Sequence, residues 1–136
     1  MRKRTLAREL ALQSLYQLDL RGDDAAGDLD EFLRETTRDA EVLDFARGLT
    51  LGCWERRADI DRELAAVAEH WDLKRMAAVD RNILRLGAHE LLHHPEIPYS
   101  VAINEAVELA KKYSTAQSGA FVNGILDKIR VRAGMA

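Results

Sequence analysis

Residues 97–129, IPYSVAINEAVELAKKYSTAQSGAFVNGILDKI, decide how the chain is read. The stretch divides into two helices joined by a polar turn. Pro98 biases Ile97 toward an extended conformation and marks a point of entry. Ser100 suits an N-cap, its hydroxyl accepting from an amide one turn inside. Ala102, Ile103, Ala106, Val107, Leu109 and Ala110 then recur at helical spacing as one apolar stripe. Lys111 and Lys112 close this helix, an order that suits its macrodipole. Residues 114–119 are small and polar with a glycine, which predicts a turn. In the second helix Val122, Ile125, Leu126 and Ile129 share the face that must enter the core. Phe121 falls off that stripe, on the flank of Gly124 and Lys128. Two readings stand for it: a stacking platform for a base with a cation for its phosphate, or a ring packed under the preceding helix.

The rest of the chain repeats the helical period. Thr5 can cap a first helix running to about Leu20, with Leu6, Leu10, Leu12, Leu15, Tyr16 and Leu18 on its apolar face. Tyr16 is either a partner anchor or a tyrosine at the rim of the core. The run RGDDAAG at 21–27 is a loop, and Asp28 caps a short helix carrying Leu29, Phe32 and Leu33. Phe45, Leu49, Gly52, Arg56, Ile60, Leu64, Val67 and Trp71 follow at intervals of three or four and predict one long bridging helix. Gly48 and Gly52 within it predict a close helix approach or a kink. A brief helical turn is expected over 72–76. The next helix begins at or is capped by Asp80; Ile83, Leu84, Gly87 and Leu91 face inward, and Arg81 and Arg85 face out. No strand alternation appears. The fold class expected is all-α, about seven helices in two packed halves of one domain, about 1–70 and 71–136.

Composition narrows the function. At 47% hydrophobic and 32% charged residues, a chain of 136 residues can bury a real core and stay in water. No apolar run approaches the roughly 20 residues of a membrane span, and MRKRTLAREL lacks the apolar centre of a secretory signal. The lone Cys53 forms no internal disulfide and fits a reducing, cytoplasmic setting. Net charge is −3, but its distribution is uneven: Arg2, Lys3, Arg4 and Arg8 crowd one end, Lys128, Arg130 and Arg132 the other, around an acidic middle. Such a chain can present one positive face to nucleic acid. Cations at a helix N-terminus oppose the macrodipole, a conflict that a bound anion would remove.

Catalytic signals fail on inspection. HELLH at 89–93 satisfies the HExxH pattern of zinc hydrolases. Pro95 ends that helix almost at once, however, and no histidine follows His94 to supply a third ligand. Cys53 lies among apolar residues with no nearby base. No glycine loop has the spacing that cradles phosphate. No metal, cofactor or catalytic residue is implied.

Three blocks carry a resemblance. VAINEAVELAKKY with SGAFVNGILDKI (101–113 and 118–129), ARELALQSLYQ (7–17) and VDRNILRLGAHELL (79–92) resemble, in the same order, the signatures of the NusB family of bacterial transcription antitermination factors. The likeness is weakest over 19–40. It implies a non-catalytic adaptor that binds the boxA element of nascent ribosomal RNA together with NusE, a small-subunit ribosomal protein. With other Nus factors the pair acts on RNA polymerase. Mapped by residue, the RNA side is Arg2, Lys3, Arg4, Arg8, Lys111, Lys112, Phe121, Asn123 and Lys128. The protein-partner side is Tyr16, Asp80 and Arg81, and Asn104 and Glu105 are expected to be structural. The alternative is a homodimer, an adaptor between proteins that buries the same basic surface.

Overall fold

The computed structural model describes residues 2–135. Among them are seven α-helices and no strand: α1 (Lys3–Arg21), α2 (Leu29–Thr36), α3 (Ala40–Glu55), α4 (Arg57–Val67), α5 (Ala78–His93), α6 (Tyr99–Tyr113) and α7 (Ala116–Arg132). Short 3-10 segments, Gly22–Asp28 and Leu73–Arg75, join α1 to α2 and α4 to α5. The all-α expectation holds, and so does the helical turn within 72–76.

The whole arrangement is built around α5. Every residue from 82 to 91 is buried, because α1, α3, α4, α6 and α7 all pack on it. A helix hidden on all sides needs its polar residues paired. Asn82 donates to Asp19 at 2.9 Å and to the Ala78 carbonyl at 2.8 Å. Arg85 forks onto Asp61 with two bonds of 2.8 Å. The expectation that Arg85 faces outward is therefore corrected: α4 covers that side and supplies the carboxylate. Gly87 allows α7 to cross closely, since a Cβ there would stand 2.6 Å from Leu126 Cδ1. The main apolar cluster draws on α1 (Leu12, Leu15), α3 (Leu49, Cys53), α4 (Ile60, Leu64), α5 (Ile83, Leu84), α6 (Ala106, Ala110) and α7 (Val122, Leu126). A smaller one joins Ala7 and Leu10 of α1 to Leu29 and Leu33 of α2 and to Val42 and Ala46 of α3.

Several local expectations shift. The long helix is broken at Arg56 (φ −98°, ψ 10°), so 40–67 forms α3 and α4. Of its two glycines, Gly52 makes the close approach, with room for a Cβ only 3.0 Å from the His89 ring, while Gly48 faces open space. Thr5 is not a cap. Arg2 holds that position, and Thr5 instead donates to Glu105 at 2.8 Å, tying α1 to α6. The helix α5 starts at Ala78, so Asp80 lies inside its first turn and does not cap it. Pro98 precedes α6, which places Ser100 inside that helix's first turn. Asp28 sits before α2 as expected, but its side chain makes no capping bond there. The turn before α7 is shorter than 114–119, because Thr115 caps the helix by accepting from the Ser118 amide at 3.1 Å. Gly22 (φ 75°) ends α1 in the left-handed region that glycine tolerates.

Candidate nucleic-acid interface

The expected RNA residues fall into two neighbouring groups, with one exception. The first group gathers at the start of α1, where Arg2 and Lys112 line a groove of about 460 Å³ between α1 and α6 with Thr5, Glu9, Asn104 and Glu105. Lys112 donates to Glu9 Oε1 at 2.5 Å, and the Tyr113 hydroxyl donates to the same oxygen at 2.5 Å. Burial works against ionising Glu9, yet those two donors hold its carboxyl below its usual range, and the Glu9 carboxylate in turn raises the Lys112 ammonium. Lys3 reaches Asp39 at 3.1 Å and Glu41 at 3.5 Å, and Arg4 lies 4.3 Å over the Phe45 ring. These cations remain exposed while leaning on carboxylates or a ring.

The exception is Arg8. Its side chain is only 2% exposed, and it donates to Glu90 through Nε at 3.0 and 3.1 Å and through Nη2 at 2.7 Å. Glu105 lies 3.4 Å from its other nitrogen. A guanidinium so enclosed has no face for a phosphate, so Arg8 leaves the contact set. It locks the start of α1 onto α5 and α6, which sets the angle at which Arg2, Lys3 and Arg4 are presented. Glu105 is structural, as expected, while Asn104 is exposed on the groove wall.

The second group lies on α7. Lys111 links the two groups, its methylenes lying over Gly119, where a Cβ would stand 3.4 Å from Cγ. Asn123 and Lys128 are exposed along the same helix. Phe121 is half-buried against the main cluster and meets Trp71 edge-on, ring centroids 4.9 Å apart and planes at 65°. The ring is thus packed inward, with Trp71 as its aromatic neighbour. Helical spacing puts Trp71 on the inner stripe of a long helix, but the helix stops at Val67 and the indole is 57% exposed. Asp72 is the signal that could have revealed this, since its side chain turns the chain by accepting from the Lys74 amide at 3.0 Å.

The three partner residues also separate. Tyr16 borders an apolar groove of about 500 Å³ with Leu12, Leu29, Phe32, Val79 and Tyr113. Arg81 is committed to Asp19 at 2.7 Å and to the carbonyls of Leu73 and Met76 at 3.0 and 3.2 Å, so it fastens the 3-10 turn to α1 and α5. Asp80 lines a different groove, that of Phe121 and Trp71.

The HELLH residues are engaged elsewhere. Glu90 serves Arg8, and its burial pushes the carboxyl above its usual range in spite of that partner. His89 Nε2 stands 3.2 Å from His94 Nε2. Burial, then His94, His93 and Arg56, press its pKa down to about 3, so it stays neutral. Among the described residues no three His, Cys, Asp or Glu side chains are placed to share a metal ion. Burial raises the Cys53 thiol to about 12, far from a nucleophile's range. No helix among them is long and apolar enough to cross a membrane.

The chain resembles known proteins over nearly all of its length. The family model for the NusB family matches residues 5–130. Transcription antitermination protein NusB of Sorangium cellulosum is 45% identical over 134 residues, covering 98% of this chain and 96% of its own. Its counterpart in Anaeromyxobacter dehalogenans is 48% identical over 128 residues, covering 93% and 89%. NusB of T. maritima superposes with a TM-score of 0.84 at 41% identity, over 95% of this chain and 90% of that one. A chain from the crystal structure of antitermination factors NusB and NusE in complex with dsRNA gives 0.86 at 31% identity, over 97% and 98%. With helix order, signature blocks and full-length similarity in agreement, the chain belongs to the NusB family.

Proposed function

We propose that this protein is a transcription antitermination factor, a non-catalytic adaptor that binds boxA RNA of nascent ribosomal transcripts together with NusE. What carries this reading is the similarity, over 97% of the chain, to a structure that holds NusB with NusE and RNA. The arrangement of side chains agrees with it. Arg2, Lys3, Arg4, Lys111, Lys112 and Lys128 supply phosphate contacts, Phe121 an aromatic surface, and Asn123 an amide for a base edge. The apolar groove beside Tyr16 suits a protein partner better than RNA, since Leu29, Phe32 and Val79 offer nothing to a phosphate. The adaptor works in the cytoplasm, within a larger assembly of Nus factors on RNA polymerase. Its two helical halves form one domain, because the main core draws on both.

Titration of labelled boxA RNA against a scrambled control, with and without NusE, tests the function at two salt concentrations. Preference for boxA that sharpens with NusE is expected. Equal binding of both RNAs, indifferent to NusE, would overturn it. Removing Arg2, Lys3 and Arg4 lowers the log–log salt slope by about 0.7 for each single-strand phosphate that the arm neutralises. Sedimentation with and without RNA checks the homodimer alternative, in which RNA and self-association compete for the same face.

A further inference from the structure

The apolar groove beside Tyr16 and the groove that holds Arg2 and Lys112 are joined by one line of hydrogen bonds. Gln13 and Glu9 stand one turn apart on α1, Gln13 lining the first groove and Glu9 the second. Tyr113, the last residue of α6, also lines the apolar groove, and its hydroxyl lies between those two side chains. It accepts from Gln13 Nε2 at 3.3 Å and donates to Glu9 Oε1 at 2.5 Å. Lys112 donates to the same oxygen at 2.5 Å, its ammonium 5.6 Å from the centre of the Tyr113 ring. The Glu9 side chain is 7% exposed and that of Lys112 54%, so the line is enclosed at Glu9 and open at Lys112. An ammonium has three N–H donors; Lys112 keeps two for a phosphate while Glu9 holds the third.

We propose that Tyr113 and Glu9 are positioning residues that couple the two grooves, so that a protein partner packed on the Tyr113 ring fixes Lys112 for RNA. The inference rests on the reading of the protein as an adaptor for RNA and NusE. A lysine meets phosphate as a point charge on a flexible stem, and ordering that stem costs entropy when RNA binds. A partner seated in the apolar groove restricts the Tyr113 ring. The two bonds on Glu9 Oε1 pass that restriction to the Lys112 ammonium. RNA then meets a cation already in place, which gives cooperativity without a change of fold. By linkage, RNA raises the affinity for the partner by the same factor. The pairing also keeps an incoming phosphate from facing the bare Glu9 carboxylate.

The experiment measures boxA RNA affinity of the full chain with and without saturating NusE, for the wild type, Tyr113→Phe, Lys112→Met and the double variant. The readout is the gain in RNA affinity that NusE brings, a ratio from which a change in both affinities alike cancels. Tyr113→Phe keeps the ring and removes only the hydroxyl. It lowers the gain by roughly 5-fold, the lower end of typical coupling between sites. Lys112→Met lowers the gain as well, and in the double variant the two losses do not add, because both cut the same line. A merely structural role for Tyr113 would weaken RNA binding equally with and without NusE and leave the gain as it was. A gain unchanged in Tyr113→Phe, or losses that add in the double variant, would overturn the coupling and leave RNA binding intact. A wild type that binds boxA RNA without any gain from NusE would overturn it too. Failure of the wild type to bind boxA RNA in either condition would overturn the RNA reading, and the coupling with it.

Discussion

The seam where α1 meets α5 and α6 and the groove between residues 70–77 and α7 both bury carboxylate oxygens, but only the seam provides donors for them. Glu90 receives three bonds from Arg8, and Glu105 takes the Thr5 hydroxyl, so the seam is internally complete. In the groove, Asp80 keeps a buried oxygen unpaired beside an open indole. A charge enclosed with its partner holds helices in place, whereas an indole left more than half open to water adds little to packing. Replacing one side of each arrangement distinguishes them.

The largest effect is expected at the seam. Arg8→Ala strands Glu90 in an apolar setting and costs about 3–5 kcal/mol in urea unfolding. A loss below about 1 kcal/mol would mean that water reaches Glu90 and that the contrast with the groove is weaker than the geometry suggests. Acid should attack the same side of the molecule. His89 titrates near 6.5 when unfolded and near 3 when folded, so the unfolded chain takes up a proton that the folded one refuses. Stability is therefore full above pH 6.5 and falls toward pH 3, by about 1.4 kcal/mol per pH unit for each such proton. His93, also lowered, adds in the same direction. His89→Gln should flatten the slope between pH 6.5 and the carboxylate range, and an unchanged slope would assign it to other groups.

Gly87→Ala tests packing without charge. Its Cβ would meet Leu126, a fully buried side chain with little room to move, for a cost of about 1–3 kcal/mol. Chemical unfolding reads this directly, and a neutral result would show that α5 and α7 can separate slightly. The smallest effect belongs to the groove. Trp71→Ala should change stability by less than about 1 kcal/mol, because more than half of the indole already faces water. A large loss in thermal unfolding would make Trp71 a structural residue and erase the contrast.

The same contrast explains what could be read in advance. Helical spacing in 97–129 locates α6 and α7 and their inner faces, because an apolar stripe is a local property. The break at Arg56 escapes that reading, since the apolar spacing continues across it while the chain changes direction. Arg8 and Arg85 look like solvent cations for a similar reason. Their partners Glu90 and Asp61 lie 82 and 24 residues away, beyond the reach of any helical period.

By itself, then, the sequence determined the all-α class, most helix positions, the stripes that form the core, and the family, each of which depends on residue identity and short-range spacing. The tertiary structure alone decided that α5 is surrounded, that Arg8 is a lock and not an RNA contact, and that Asp80 shares a groove with Trp71 and Phe121. Burial and pairing are set by which helices meet, and helices meet through side chains far apart in the chain.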